Sequence, residues 1–409
     1  MGFTVEQDCP QCGAPIDIDE TDRVMRCPYC DVRHFLFAPT YFRFMLPHKT
    51  TVDQEIIYSP YLRFKGNVYY CQGWTVGHRV VDITHVGLHF PGIPVSLGLR
   101  PQAMKMRFVD SSTPGSFLRF TLKASEIVTR AGDLSSATGA GKLLHRAYIG
   151  ETLSLIYLPL FIKGDRLFDG VLNRPLSNIP EGEDILTAST VKNPRWKISF
   201  LPTLCPRCGW NLEGERDSMV LTCSNCETAW EASKGRFIPV KFLTVPGQGP
   251  NTVYLPFWRT GARAKGVEIN SFADFIRLTN QPRVVGKEWE NEDMYFWAPA
   301  FKIRPRIFLN LSRQMTLSQK RFAKEEMIPK KDLYPVTLPS AEAAQAMKLT
   351  LAMSTINKKD VFPALPRITF EVKDSTLVYL PFTDTGYEII QQHMQTSINK
   401  NTLEFGRKL

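Results

Sequence analysis

The 409-residue chain predicts an α+β, mainly β fold built as a tandem duplication, and two repeated patterns carry that prediction. The first is a set of cysteines: Cys9, Cys12, Cys27 and Cys30 recur 196 positions later as Cys205, Cys208, Cys223 and Cys226. The same offset places Tyr58, Pro60 and Arg63 on Tyr254, Pro256 and Arg259. The second pattern is Tyr-x-Pro followed by aromatic or aliphatic residues, at Tyr58, Tyr157, Tyr254 and Tyr379. Proline cannot donate to a β ladder, so each motif marks a strand edge or bulge. Gly66, Gly164, Gly261 and Gly386 follow where a hairpin could turn. Each half therefore holds one cysteine module followed by two antiparallel β units, with a few helices. The division expected is 1–38 and 196–234 for the modules, and 39–195 and 235–409 for the β-rich domains.

Each cysteine set has the form C-x2-C, fourteen residues, C-x2-C. Two residues between thiolates let one tight turn aim both sulfurs at a single ion, and Gly13 and Gly209 supply the permissive backbone such a knuckle needs. Four soft sulfurs in a closed tetrahedron suit Zn(II), with iron in a rubredoxin-like centre as the other option. The spacing is that of a zinc ribbon, so two Zn(II) per chain are expected, one on each four-cysteine set. Two disulfides per module would compete. No secretory signal precedes the cysteines, and in that setting C-x-x-C pairs are more often metal sites or redox dithiols. Four protein thiolates leave no position for water or substrate, which points to a structural role.

Length allows two to four domains, and 43% hydrophobic with 22% charged residues is ordinary for a globular chain. The longest apolar stretch, Leu153 to Ile162, contains Ser154 and Pro159 and is too short to span a bilayer. A cytoplasmic location is expected, with peripheral association with a membrane complex as the variant left open. The net charge of +10 counts the thiols as neutral; subtracting eight for metal-bound thiolates and adding four for two dications leaves +6. The excess is local. From Lys302 to Lys331 nine Lys or Arg meet only Glu325 and Glu326.

Along the chain, Ala14 to Arg26 alternates as a short hairpin would, and Tyr41 to Leu46 reads as a strand closed by Pro47. Arg23, Arg26 and Arg33 lie close in sequence to the first centre and would screen its negative charge. Ala103 to Arg107 matches Ala300 to Arg304 at an offset of 197, extending the duplication. Asn173 to Pro202, with four prolines and a Gly/Glu/Asp run, reads as the linker between halves. Three helices are expected in the second half. Phe272 to Leu278 follows Ser271 with Asp274 at the capping-box position. Leu317 to Met327 follows Thr316 with Gln319 in the same role. Ala341 to Ile356, rich in Ala, Met and Leu with Ser340 as N-cap, is an insertion that lengthens the second half.

Three stretches almost show catalytic chemistry. Gly139-Ala140-Gly141-Lys142 ends like a P-loop, but Leu143 stands where magnesium binding needs Ser or Thr. Pro94 to Gly98 has proline at the first glycine of a nucleophile elbow. His78, Asp82, His85 and His89 form the one histidine cluster, in a segment that Gly77, Gly87, Pro91 and Pro94 mark as mostly irregular. Cys71, the ninth cysteine, reads as a buried small hydrophobe.

The two Cys-Pro-x-Cys-Gly ribbons, the Tyr-x-Pro strands followed by Arg, and Pro94 to Phe108 (PVSLGLRPQAMKMRF) resemble a group of bacterial zinc-ribbon proteins with no assigned activity. The resemblance covers most of the chain; the ribbons alone are similar to those of transcription factors and of ribosomal and polymerase subunits. It implies ligands and architecture, not a reaction. The function expected is a non-catalytic zinc-binding structural or adaptor protein that mediates protein–protein assembly as an accessory subunit of a larger complex. Its contact with an acidic partner surface would use Arg313, Lys320, Arg321 and Lys324. The alternative is nucleic-acid binding through 302–331, where Phe301, Phe308 and Phe322 interleave with the basic residues.

Overall fold

In the computed structural model, which describes residues 2–49, 55–124, 126–129, 141–179, 190, 191, 196, 198–319, 327–329, 332–391, 394 and 396–407, the chain opens with five short strands. They are β1 (Thr4–Asp8), β2 (Pro15–Asp19), β3 (Val24–Arg26), β4 (Arg33–Phe37) and β5 (Phe42–Met45). Then come β6 (Ile57–Gln72), β7 (Thr75–Val86), β8 (Met106–Phe108), β9 (Ser116–Phe117), β10 (Leu143–Lys163), β11 (Arg166–Asp169), β12 (Arg174–Asn178) and β13 (Ser199–Pro202). The second half adds β14 (Val220–Cys223), β15 (Thr228–Ser233), β16 (Arg236–Val240), β17 (Phe242–Thr244) and β18 (Thr252–Lys265). It closes with β19 (Tyr295–Pro299), β20 (Thr369–Asp384), β21 (Glu388–Gln391) and β22 (Thr396–Asn399). The fold is mainly β, as the sequence predicts.

Packing divides the chain into two units. The first is Met1–Lys65, Val81–Leu134 and Glu151–Pro202; the second is Gly66–Val80, Ser135–Gly150 and Thr203–Leu409. A ten-stranded sheet orders β12-β11-β10-β5-β8-β1-β2, with β6 on β10 and β7 and β9 on β6; β13-β4-β3 form a separate small sheet. In the second unit β14-β15-β16 form the ribbon sheet, and β19-β18-β20-β21-β22, with β17 on β20, form the main one. Trp258, Phe257, Phe275, Phe301, Phe308 and Phe362 anchor the core of the second unit, each fully buried.

The four Tyr-x-Pro motifs lie in the four longest strands, and all four do the same thing. Up to the tyrosine the strand has a parallel neighbour. Leu118, Leu46, Tyr334 and Val245 donate backbone N–H groups to the carbonyls of Tyr58, Tyr157, Tyr254 and Tyr379, at 2.9, 3.1, 2.9 and 3.0 Å. These donors belong to or follow segments that pair in parallel with the motif strand. From the proline onward a different neighbour takes over. The carbonyls of Pro60, Pro159 and Pro256 accept from the N–H of Gly87, Gly170 and Ala300 at 2.7, 2.8 and 3.0 Å, and Pro381 accepts from Gln391 Nε2 at 2.9 Å. β11, β19 and β21 continue as antiparallel partners beyond these points. Proline thus stands where one neighbour ends and the next begins, the position in a long strand at which an N–H has no acceptor. The prediction of an edge or bulge is corrected to this exchange point, which lies inside the sheets.

Several local expectations hold and others are corrected. The helix Phe272–Leu278 has the predicted capping box: Ser271 Oγ accepts from Asp274 N–H and the Asp274 carboxylate accepts from Ser271 N–H. Gly164 and Gly386 turn the β10–β11 and β20–β21 hairpins with positive φ, whereas Gly66 lies within β6 and Gly261 marks a bulge within β18. β2 and β3 are strands but not a hairpin, because β2 pairs with β1 and β3 with β4. The helix expected from Leu317 is replaced by Pro305–Ser318; Thr316 lies in its last turn and Gln319 is its left-handed C-cap, so Pro305 rather than Thr316 starts it. Residues 320–326 of that expected helix lie outside the described residues, and Met327 is a bend. The inserted helix is Ser340–Ser354, with Pro339 in the N-cap position; the Ser340 hydroxyl instead donates to Glu231 at 3.3 Å. Ala103 to Arg107 runs from a short helix into β8, whereas Ala300 to Arg304 follows β19 and enters a helix, so these segments are not structural counterparts. The ends of the expected linker are strands β12 and β13. Its middle is largely outside the described residues.

Candidate metal centres

The two cysteine knuckle sets repeat each other bond for bond. Cys9 N–H donates to Ala14 O at 2.8 Å and Gly13 N–H to Cys9 O at 2.9 Å; Cys205 donates to Trp210 at 2.7 Å and Gly209 to Cys205 at 2.8 Å. Gly13 and Gly209 adopt φ of 73° and 74°, which a Cβ would disfavour. Asp31 and Glu227 occupy the same left-handed position after the second knuckle, at φ of 57° and 51°.

This backbone brings all four sulfurs of each set within 4.8 Å of one another. Cys9 Sγ to Cys30 Sγ is 3.7 Å and Cys12 Sγ to Cys27 Sγ is 3.6 Å; Cys205 to Cys226 is 3.6 Å and Cys208 to Cys223 is 3.5 Å. A disulfide needs about 2 Å between sulfurs. A tetrahedron with metal–sulfur bonds of about 2.3 Å has edges of about 3.8 Å, so the spacing fits one metal ion in each set. Both clusters are compatible with zinc ribbons.

The thiols titrate as connected groups. Burial opposes the Cys205 thiolate, but N–H groups of Cys208 and Arg207, the Thr228 hydroxyl and Cys226 outweigh it and bring the pKa down to about 6. Burial likewise opposes Cys27, and the N–H groups of Cys30 and Tyr29 lower it to about 7. Burial pushes Cys223 up to about 12. Thus each set already contains a thiol disposed to ionise, the condition for accepting a cation.

The histidine cluster does not assemble into a site. His78, Asp82 and His85 lie on strand β7, which is regular rather than irregular, and His89 follows it. Asp82 is engaged by Arg63, whose Nε donates to it at 3.0 Å, and by Gln102 Nε2 at 3.1 Å. Among the described residues the two cysteine sets are the groups of three or more His, Cys, Asp or Glu that could hold a metal. Cys71 is fully buried, and burial pushes its pKa up to about 12, which keeps it a thiol. Of the predicted contact residues, Arg313 lies part-buried on the helix Pro305–Ser318, while Lys320, Arg321 and Lys324 lie outside the described residues. Gly139 and Ala140 of the P-loop-like stretch lie outside them as well.

Sequence reasoning missed an ion network beside the first ribbon. Glu20, between β2 and β3, is paired with Arg63 of β6, and Arg63 Nη2 also reaches Asp82 at 2.9 Å. Arg63 and Glu20 are each 1% exposed by side chain. The Tyr-x-Pro motif flagged Arg63, but the bulk of the chain gives no sign of which carboxylates it meets. No family model, curated protein or solved structure matches the chain. The expected kinship with the bacterial ribbon group therefore rests on the motifs alone.

Proposed function

We propose that this chain is a non-catalytic structural adaptor whose two ribbons are held by Zn(II) and which takes part in protein–protein assembly. The observation that carries the reading is that both metal sites are closed: four sulfurs at tetrahedral spacing occupy every coordination position, leaving none for a substrate. A zinc ion in such a site supplies folding free energy by cross-linking two knuckles. Cys205, Cys208, Cys223 and Cys226 would hold one ion, and Cys9, Cys12, Cys27 and Cys30 the other. The bacterial group suggested by the motifs would supply the setting, an accessory subunit of a larger complex.

The nucleic-acid reading gains little from the basic stretch. Phe301 and Phe308, expected to stack on bases, are 0% and 1% exposed, which leaves Arg304 and Arg306 as exposed phosphate contacts. Phe322 lies outside the described residues. Elemental analysis of the purified chain tests the metal assignment: two zinc per chain is expected, and iron would overturn it. Co-purification from the native source tests the rest. A stoichiometric protein partner that survives nuclease and high salt supports an adaptor, whereas recovery of RNA or DNA that high salt releases overturns it.

A further inference from the structure

The two metal centres share their ligands but not what touches the sulfurs. In the second ribbon Trp230 Nε1 donates to Thr228 Oγ1 at 2.8 Å, which leaves the hydroxyl hydrogen of Thr228 free for a sulfur. Cys226 Sγ lies 3.1 Å from that oxygen and Cys205 Sγ 3.7 Å. A metal-bound thiolate carries no proton, so Thr228 is the donor to this pair. The offset of 196 puts Val32 at the place of Thr228 and His34 at that of Trp230. A valine side chain has nothing to donate. The backbone N–H of Val32 faces Cys30, but among the described residues no hydroxyl is bonded to Cys9 or Cys30, whose sulfurs lie 3.7 Å apart.

Access does not separate the two centres. Cys12 and Cys208 are exposed, Cys30 and Cys226 are half-buried, and the other ligands are buried, in the same order in both sets. What differs is the charge left on sulfur. A hydroxyl aimed at a thiolate draws off the lone-pair density with which sulfur attacks an electrophile, and a second donor behind that hydroxyl strengthens the bond. Lacking it, Cys30 keeps that density within reach of solvent, the combination that decides which cysteine is oxidised.

We propose that the metal centre of the first ribbon is a modification site for hydroperoxides, hydrogen peroxide being the simplest, whereas Thr228 and Trp230 shield the second. Cys30 Sγ attacks one peroxide oxygen; the O–O bond breaks, hydroxide leaves and the cysteine becomes a sulfenic acid. Cys9 Sγ, 3.7 Å away, then displaces hydroxide from that sulfur and closes a Cys9–Cys30 disulfide. The two sulfurs give up two electrons, the peroxide takes them, and two protons from solvent convert both hydroxides to water. With two of its four ligands gone, the first ribbon releases its dication, unchanged in charge. The site needs a bound metal ion but not the adaptor role.

The test treats the full zinc-loaded chain with excess hydrogen peroxide beside a chromogenic zinc chelator and maps the cysteines by mass spectrometry. One ion per chain should leave at least tenfold faster than the other, with the Cys9–Cys30 disulfide formed while Cys205 and Cys226 can still be alkylated. Thr228→Val should speed the slow release at least fivefold, Thr228→Ser should keep it slow, and Val32→Thr should slow the fast release. Metal content is measured on every variant before treatment. Release of both ions at one rate, or from the second ribbon first, overturns the proposal. So does a slow phase left unchanged by Thr228→Val with two ions bound, or a fast phase left unchanged by Val32→Thr. Equally fast release to the chelator without peroxide also overturns it, because opening of the ribbon rather than attack by sulfur would then set the rate. Fewer than two ions on the untreated parent chain would overturn the metal assignment, and the proposal with it.

Discussion

Arg63 and Arg259 hold the same place in the two halves, five residues after a Tyr-x-Pro tyrosine, and they live by different physics. Arg63 is 1% exposed and sandwiched between Glu20 and Asp82, with its guanidinium 5.0 Å from the Phe3 ring. Arg259 is half-buried and lies 4.5 Å above the Tyr295 ring, with no carboxylate partner among the described residues. The offset explains the change: the position of Glu20 is taken by Arg216 in the second half. A duplicated backbone can keep its strand exchanges while the side chains that join ribbon to sheet are rebuilt. His34 and Trp230 show the same divergence. His34 is buried with neither ring nitrogen bonded, whereas Trp230 Nε1 donates to Thr228 Oγ1 at 2.8 Å.

The largest way to break the comparison is to remove one metal site. Cys223→Ser should release one of two bound ions and unfold the second ribbon while the first keeps its metal, as read by elemental analysis and by amide exchange at each ribbon. Loss of both ions from this one variant would show that the ribbons fold as a single unit. Next in size is the arginine pair. Arg63→Met removes the hydrogen-bonded counter-ion of buried Glu20 and should cost about 3–5 kcal/mol, whereas Arg259→Met should cost under about 1 kcal/mol, measured by urea unfolding. Equal costs would mean that the buried network contributes nothing beyond packing.

A pH dependence separates β10 from its counterpart β20, which contains no histidine. His145 on β10 is largely buried, and that burial, with Lys348 nearby, lowers its pKa to about 4. Because the folded value lies below the unfolded one, the stability it supports is present above about pH 6.5 and is lost as pH falls toward 4. The loss should be about 3 kcal/mol at most and should vanish in His145→Leu. An unchanged slope in that variant would assign the acid sensitivity elsewhere. The smallest effect expected is at the exchange points: Pro159→Ala and Pro381→Ala should each cost about 1–3 kcal/mol, since the new N–H arrives where no acceptor awaits it. A loss of several kcal/mol at one of them would show that the two exchange points are not equivalent.

Much of this was legible in the sequence. Cysteine spacing reports ligand sets because a knuckle is a local structure, and Ser271 with Asp274 reports a helix start for the same reason. The exchange of parallel for antiparallel neighbours was not legible, since Leu46, the partner of Tyr157, and Gly170, the partner of Pro159, lie on opposite sides of the motif in the chain. The Pro305–Ser318 helix was not legible because Arg304, which makes no side-chain cap, stands where a capping residue would mark its start, while Phe308, Leu309, Leu311 and Met315 set its buried face. Glu20 and Asp82 could not be matched to Arg63 from sequence, because tertiary folding alone selects which carboxylate a buried guanidinium meets.

The four prolines have a consequence for solvation. A long strand that changes neighbours leaves one backbone position between them without a ladder partner, and no water reaches such a position in a sheet interior to take its place. Pro60, Pro159 and Pro256 are buried at these positions and Pro381 is half-buried. With proline in that place the gap presents a carbonyl already taken by Gly87, Gly170, Ala300 or Gln391, and no donor at all. Each ladder is thus interrupted without stranding a dehydrated amide.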